Sequence, residues 1–332
     1  MVLQTELSNT EYQEQIQEAN RPRTLVSPHP DEEGVFILER GERRSIISQG
    51  YTRIGGTAIK YTYERPMTTE DPVPLLLVPG YGGIKPAYKE LRKSVVDIGK
   101  PAITFKAPRT QERFAALHPK HFFHPERLLA QSVIAITRDI IERGGDNNEF
   151  EQVDTAGHSM GGPAVVNAGL VHPELFRSVT TVASAGLDGH TLKDMRDRAP
   201  AVIFGEILPM VKDIKICKDY RTVQHMVHYV ARNPWRTAAE GLAVGSGDIR
   251  DKVTHLGSLG VRTAALQFEN DHFFPVEGVR EHSADRFDIF RVFSDPNANH
   301  MWPQLQPDAV ADELVEIINE LKSKEKPVLK LV

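Results

Sequence analysis

The sequence contains a single cysteine, Cys217, among its 332 residues. One cysteine can form no internal disulfide and cannot supply a multi-cysteine zinc site, so we expect neither feature in the fold. Scarce cysteine is also typical of proteins from a reducing compartment. Nothing in the sequence around Cys217 predicts a thiol of low pKa, and we interpret this residue as an inert one rather than as a nucleophile.

Several further features are missing from the sequence. No segment approaches the roughly 20 continuous apolar residues that a membrane span needs, and the first residues lack the basic and apolar pattern of a secretory signal. We therefore expect a cytoplasmic protein without a membrane span. The net charge is −5, without a basic excess, which argues against nucleic acid as a partner. No phosphate-cradling loop or dinucleotide fingerprint occurs, so no cofactor is expected.

Strand-like and helix-like segments alternate along most of the chain. The unbroken apolar run at 75–78 predicts a strand buried on both faces, which is typical of parallel sheets. A Gly-Gly pair at 55–56 separates two extended stretches and predicts a β-hairpin. Further strands are predicted at 101–105, 153–156, 179–183, 261–268 and 287–293, and long helices at 125–143 and 308–322. The alternation predicts an α/β fold with a mostly parallel central sheet and helices on both faces.

The alternation of predicted strands and helices, and the places where it is absent, divide the chain into five segments. The stretch 188–260 contains helix-like segments but no convincing strand, and we interpret it as an inserted helical lid; an ordinary peripheral subdomain is the alternative. The predicted segments are a polar N-terminal arm (1–32), the first part of the core (33–187), the lid (188–260), the second part of the core (261–322) and a C-terminal tail (323–332).

The run GHSMGG, residues 157–162, lies between a predicted strand and a predicted helix. This setting is typical of a nucleophile elbow, in which a serine occupies a sharp turn and glycines two positions before and after it leave room for the backbone. Ser159 is therefore the candidate nucleophile. The turn also places the backbone N–H of Met160 at the start of a helix, where it can face a developing negative charge. A tight turn without catalysis is the alternative interpretation.

A serine hydroxyl is a weak nucleophile and needs a base. His300 lies between the last predicted strand and the last predicted helix, at the same sheet edge as Ser159, and is the candidate base. The side chain of His158 is expected to point away from that of Ser159, which argues against His158 as the base. Asp271, in the loop after the preceding strand, is the candidate acid that orients the base. Glu269 is expected to lie on the strand end, and Asp271 could instead cap a helix.

The chain order Ser159, Asp271, His300, together with the GHSMGG elbow, resembles the α/β-hydrolase superfamily in its lid-bearing form. The resemblance covers roughly residues 52–321. It implies the α/β-hydrolase fold and a catalytic triad formed by these three residues. The resemblance rests on the GHSMGG elbow, the loop from Asp271 to Pro275, and His300 ahead of a terminal amphipathic helix.

The resemblance also implies an oxyanion hole made of two backbone N–H groups. One belongs to Met160 and the other to Tyr81, in the glycine-rich loop after the strand at 75–78. Many relatives begin this loop with His-Gly, whereas this chain has Pro79 and Gly80. The departure keeps the donor, because a backbone N–H does not depend on the preceding side chain.

The function that the resemblance implies is hydrolysis of a carboxylic ester of a small-molecule acyl substrate, through an acyl-serine intermediate. A thioesterase, lactonase, C–C bond hydrolase or perhydrolase would use the same triad, and these alternatives stay open. A non-catalytic binding protein on the same fold is the second class of function. The sequence leaves open the natural substrate and whether the chain forms a homo-oligomer.

Three histidines at a spacing of three residues give a weaker signal of a metal site, because imidazole binds zinc. They are His118, His121 and His124. No carboxylate cluster accompanies them and prolines flank them. We therefore expect pocket-lining or surface histidines and no metal ion.

Overall fold

The structure is a computed structural model and describes residues 36–40, 43–54, 57–80, 88–107, 125–145, 150–189, 192–202 and 247–324. Several of the features predicted above lie outside these ranges. They are the polar arm, the residues Tyr81 and Cys217, the histidines at 118, 121 and 124, and the greater part of the predicted lid. The predictions about them stay predictions.

Nine strands of the described chain form one sheet in the order β1-β2-β3-β5-β4-β6-β7-β8-β9. The strands are β1 (Phe36–Arg40), β2 (Arg43–Ile54), β3 (Thr57–Pro66), β4 (Leu75–Val78), β5 (Ala102–Phe105), β6 (Val153–His158), β7 (Phe176–Val182), β8 (Arg262–Phe268) and β9 (Ile289–Phe293). The pairings of β1 with β2, β2 with β3 and β3 with β5 are antiparallel. All other pairings are parallel, which confirms the mostly parallel central sheet.

The β-hairpin predicted around the Gly-Gly pair is present. Strands β2 and β3 pair antiparallel, and Ile54 lies opposite Thr57 at the end of the ladder next to the turn. The hairpin adds an antiparallel edge to the parallel sheet. Strand β1 pairs antiparallel with β2 and forms the edge of the sheet in the described chain.

Helices cover both faces of the sheet. They are α1 (Lys89–Asp97), α2 (Pro125–Gly145), α3 (Gly161–Val171), α4 (Leu192–Val202), α5 (Arg250–Ser258), α6 (Val276–Ser283), α7 (Trp302–Leu305) and α8 (Pro307–Ser323), with short 3₁₀ turns at Pro173–Leu175 and Ala284–Arg286. One apolar core lies between the sheet and α2, α3 and α5. A second core lies on the other face, under α1, α7 and α8. Every residue of the central strands β4 and β6 is buried, because both faces are covered.

Helix α8 shows how the sequence pattern produces this packing. Its buried apolar side chains recur at intervals of three and four, so they form one stripe along the helix. They are Val310, Ala311, Leu314, Ile317, Ile318 and Leu321. The stripe packs on the sheet and on α1, which confirms the predicted terminal helix.

In the described parts of the range predicted as lid, 188–189, 192–202 and 247–260, there are two helices, α4 and α5. Helix α5, at the C-terminal end of that range, packs on the core, because Val253 and Leu256 are buried against α3. The approach is close: a Cβ built on Gly169 of α3 would lie 2.9 Å from a methyl carbon of Leu256. These residues of the range therefore form part of the main body of the fold. Whether the residues between α4 and α5 form a lid stays a prediction.

A cluster of charges lies at the amino ends of the parallel strands, opposite the edge where Ser159 is located. Asp71 and Asp154 share two basic partners, and Lys100 Nζ lies 3.1 Å from one carboxylate and 3.0 Å from the other. Arg177 Nε donates to Asp154 at 2.9 Å and the guanidinium also binds Asp71 at 2.8 Å. Burial alone would raise the pKa of both carboxyls, but these partners lower it for Asp71 and for Asp154.

No helix in the described ranges is long and apolar enough to cross a bilayer. The same part of the chain holds no group of three or more histidine, cysteine, aspartate or glutamate side chains arranged to bind a metal ion.

Candidate active site

Ser159 lies in the turn between strand β6 and helix α3, at the carboxyl end of a central parallel strand. Its φ angle is 56°, in the left-handed region that side chains other than glycine rarely adopt. Backbone hydrogen bonds hold this conformation. The N–H of Ser159 donates to Val182 O at 3.0 Å, and its carbonyl oxygen accepts from Gly162 at 3.0 Å and from Ala185 at 3.3 Å. The turn is therefore fixed by its neighbours on β7 and α3.

The glycines of the elbow allow this turn to close. A Cβ built on Gly157 would lie 2.3 Å from the carbonyl oxygen of Gly161, and no side chain fits at that distance. The backbone of the strand end and that of the helix start therefore touch directly. This is the strand–turn–helix setting predicted from the glycine spacing.

His300 and Asp271 form a buried pair at the same edge of the sheet. Asp271 follows β8 and His300 follows β9, and His300 Nδ1 lies 2.9 Å from Asp271 Oδ2. The other carboxylate oxygen, Oδ1, accepts backbone N–H bonds from Phe273 at 2.7 Å and Phe274 at 2.9 Å. A carboxylate held this way can only accept from Nδ1. The hydrogen of the neutral ring is therefore assigned to Nδ1, which makes Nε2 the basic nitrogen.

Aromatic rings fix the orientation of the His300 imidazole. The ring of Phe273 lies 4.5 Å from it and that of Phe274 lies 5.3 Å from it, measured between ring centroids. On another side the ring of His158 lies 4.7 Å away. The base is thus held by packing as well as by its bond to Asp271, so little freedom of rotation remains.

The loop after β4 runs against the candidate nucleophile. A Cβ built on Gly80 would lie 2.7 Å from Ser159 Cβ and 3.3 Å from its Oγ. The next residue, Tyr81, lies outside the described ranges, so its N–H remains a predicted oxyanion donor. Met160 precedes helix α3 as its N-cap residue, with φ −60° and ψ −21°, and no described residue accepts a hydrogen bond from its N–H.

The structure also describes Glu269 and His158, the alternatives to Asp271 as the acid and to His300 as the base. Glu269 lies one residue beyond the end of β8 rather than on it, and its side chain is exposed. His158 is buried, and burial together with the nearby His300 lowers its pKa well below the ordinary value of 6.5, so it is a poor base.

Sequence reasoning missed Tyr88, whose hydroxyl lies 2.7 Å from His158 Nδ1. No local motif marks this contact, because the two residues are 70 positions apart.

No protein-family model matches the sequence, and no curated protein is a match to it either. Solved structures, by contrast, are similar in fold. A bacterial membrane phospholipase A, described as a virulence factor, is 15% identical with a TM-score of 0.61, over 84% of this chain and 87% of that one. A putative lipase from Acinetobacter baumannii is 14% identical with a TM-score of 0.56, over 94% and 97%. A thermophilic esterase from Thermogutta terrifontis is 15% identical with a TM-score of 0.54, over 82% and 98%.

Identities this low carry information about the fold alone. The TM-scores of 0.61, 0.56 and 0.54, each over more than four fifths of both chains, show that these structures and this chain share one overall fold. The chain therefore has the α/β-hydrolase fold, as the resemblance in sequence implied.

Proposed function

We propose that the chain is a serine hydrolase that cleaves a carboxylic ester, or a related acyl bond, of a small molecule. The observation that carries the proposal is the buried contact of 2.9 Å between His300 Nδ1 and Asp271 Oδ2. This pair lies at the sheet edge that also holds Ser159 in its left-handed turn. A base oriented by a carboxylate is what a serine nucleophile requires.

In the first half of the reaction, Ser159 Oγ attacks the carbonyl carbon of the substrate while His300 Nε2 takes the hydroxyl proton. The Asp271 carboxylate stabilises the imidazolium that forms. The negative oxygen of the tetrahedral intermediate accepts hydrogen bonds from the N–H groups of Met160 and Tyr81. His300 then gives its proton to the leaving alcohol, and the acyl group stays on Ser159.

In the second half, water attacks the acyl-serine. His300 takes a proton from this water, the same oxyanion donors act again, and the acid is released as the serine recovers its proton. Losing one oxyanion donor typically costs about 3 kcal/mol of transition-state stabilisation. The same residues can cleave thioesters, lactones and activated C–C bonds, and they can catalyse perhydrolysis. We propose that residues of the 188–260 segment choose among these substrates as a lid.

A non-catalytic binding protein is the weaker proposal. Asp271 is 3% exposed and His300 is 4% exposed. Burying two polar groups carries a desolvation cost that a binding protein has no need to bear. In a hydrolase the same burial keeps water from competing for the bond between base and acid.

A fluorophosphonate probe tests the proposal, because it reacts with an activated serine. We expect the wild-type protein to be labelled, Ser159→Ala to be unlabelled, and His300→Ala to be labelled far more slowly. Ser132→Ala is the matched control, since Ser132 is a fully buried serine whose hydroxyl donates to Leu128 O in its own helix. A wild-type protein that stays unlabelled beside a known serine hydrolase contradicts the proposal. p-Nitrophenyl esters of graded chain length would then define the acyl preference.

A further inference from the structure

A second buried histidine lies directly against the candidate base. His158 Nε2 is 2.9 Å from the main-chain carbonyl oxygen of His300. A carbonyl oxygen can only accept, so Nε2 carries the hydrogen and donates it. In a neutral ring the other nitrogen, Nδ1, must then be an acceptor.

The donor to that nitrogen is Tyr88, at the start of helix α1. Its hydroxyl lies 2.7 Å from His158 Nδ1 and therefore donates to it. The hydroxyl oxygen in turn accepts from the Gly80 N–H at 3.4 Å and from the Gln304 amide at 3.3 Å. Each donor and acceptor role in this chain of bonds follows from the carbonyl of His300. The network is buried, so breaking one of its bonds leaves a buried polar atom unsatisfied.

The protonation states that this assignment requires are favoured by the surroundings. Burial and the neighbouring His300 hold the pKa of His158 well below 6.5, which keeps the ring neutral. Burial also raises the pKa of Tyr88 far above that of an ordinary tyrosine, which keeps its hydroxyl a donor. A neutral His158 adds no positive charge beside His300 when that ring accepts a proton.

We propose that Tyr88 and His158 are positioning residues of this site, which hold the main chain of His300 and of Gly80 in place around Ser159. His300 belongs to a loop between β9 and α7, and His158 anchors its carbonyl. Gly80 carries the loop that touches Ser159, and Tyr88 bonds to its N–H. The Tyr88 hydroxyl thus links the loop at Gly80 to His158, whose ring in turn bonds to the main chain of His300.

The inference rests on the proposed function, because a positioning role is detected as a change in the rate of the proposed hydrolysis. Proton transfer and attack require close alignment of base, nucleophile and substrate, and a displacement of about 1 Å can lower a rate about 100-fold. A positioning role therefore predicts a loss in kcat with little change in KM. A role in stability alone predicts a lower melting temperature and an unchanged kcat for each folded molecule.

The test compares Tyr88→Phe with Tyr61→Phe. Both tyrosines are buried, with 4% and 2% exposure, and both hydroxyls are hydrogen-bonded, that of Tyr61 to Asp139 on α2. kcat and KM are measured on a p-nitrophenyl ester and divided by the fraction of sites titrated with the fluorophosphonate, and melting temperatures are recorded. We expect kcat for each active site to fall about tenfold in Tyr88→Phe, because the change removes the hydroxyl that bonds to His158, Gly80 and Gln304. In Tyr61→Phe we expect kcat to stay at the wild-type value.

A second pair of variants covers the case in which Tyr88→Phe fails to fold. In His158→Gln the side-chain amide can reach the His300 carbonyl as Nε2 does, whereas the shorter side chain of His158→Asn cannot. We expect the glutamine variant to retain more kcat than the asparagine variant. Equal kcat values in Tyr88→Phe and Tyr61→Phe, or in the two His158 variants, overturn the positioning role while the wild type remains an active hydrolase. A wild type that is neither labelled nor active overturns the proposed function and this inference together.

Discussion

Replacing Asp271 by asparagine changes one group at the centre of the site. Asp271 Oδ1 accepts from the N–H groups of Phe273 at 2.7 Å and Phe274 at 2.9 Å. In Asp271→Asn the carbonyl oxygen must stay at this position, because an NH₂ group cannot accept two N–H bonds. The NH₂ group is then directed at His300 Nδ1, where the carboxylate oxygen lay 2.9 Å away.

Two N–H groups cannot face each other, so His300 in this variant must present a lone pair on Nδ1. Its hydrogen moves to Nε2, the nitrogen that should take the proton of Ser159. A triad locked in the wrong tautomer loses about 10⁴ in turnover, which corresponds to about 5.4 kcal/mol of activation free energy. The fold should be little affected, since both backbone bonds to position 271 are kept.

The assay is kcat on a p-nitrophenyl ester, with the rate of fluorophosphonate labelling as a second readout and melting temperature as the check on folding. Glu269→Gln is the matched control: it makes the same change of charge on an exposed side chain two residues away. We expect that control to stay within twofold of wild type. An Asp271→Asn protein within tenfold of wild type, or an equal loss in Glu269→Gln, would refute the assignment of the acid.

Two more predictions concern the loop beside the nucleophile and the charge cluster. Gly80→Ala places a Cβ 2.7 Å from Ser159 Cβ, so kcat should fall at least about tenfold, whereas Gly257→Ala, with open space at its Cβ, should keep kcat. Asp154→Asn should lower the free energy of unfolding by about 3 kcal/mol at pH 7. The folded-state pKa of Asp154 is lowered from 3.8, so this stabilisation is present above pH 3.8 and lost as pH falls through the folded-state pKa. Urea unfolding that shows the same loss at pH 7 and pH 3 would contradict the role of the charge.

Much of the sheet could be predicted because its signal is local. A parallel strand covered on both faces must be apolar along its whole length, and all four residues of Leu75–Val78 are buried. The hairpin was marked by a Gly-Gly pair, and the last helix by its apolar stripe. The turn at Ser159 was predictable for a similar reason, since glycine spacing reports how closely two backbones approach.

The parts that could not be predicted depend on contacts between distant residues. Helix α5 has only two buried side chains, Val253 and Leu256, so its sequence reads like that of a peripheral helix although it packs on the core. The contact between Tyr88 and His158 joins a helix start to a strand end, and neither segment carries a motif for it. Position in the fold, rather than residue type, creates that network.

Backbone conformation gives a separate argument for a functional rather than a merely structural turn at Ser159. Among the residues that the structure describes, Ser159 and Ala183 are the two non-glycine residues with positive φ, at 56° and 42°. They lie at the ends of neighbouring strands, β6 and β7. Such conformations cost about 1–3 kcal/mol each and persist where surrounding contacts impose them. A plain connection would relieve the cost with glycine or asparagine at position 159. A serine at this position, with its side chain against the glycine loop after β4, favours the hydroxyl as the reason for the strain.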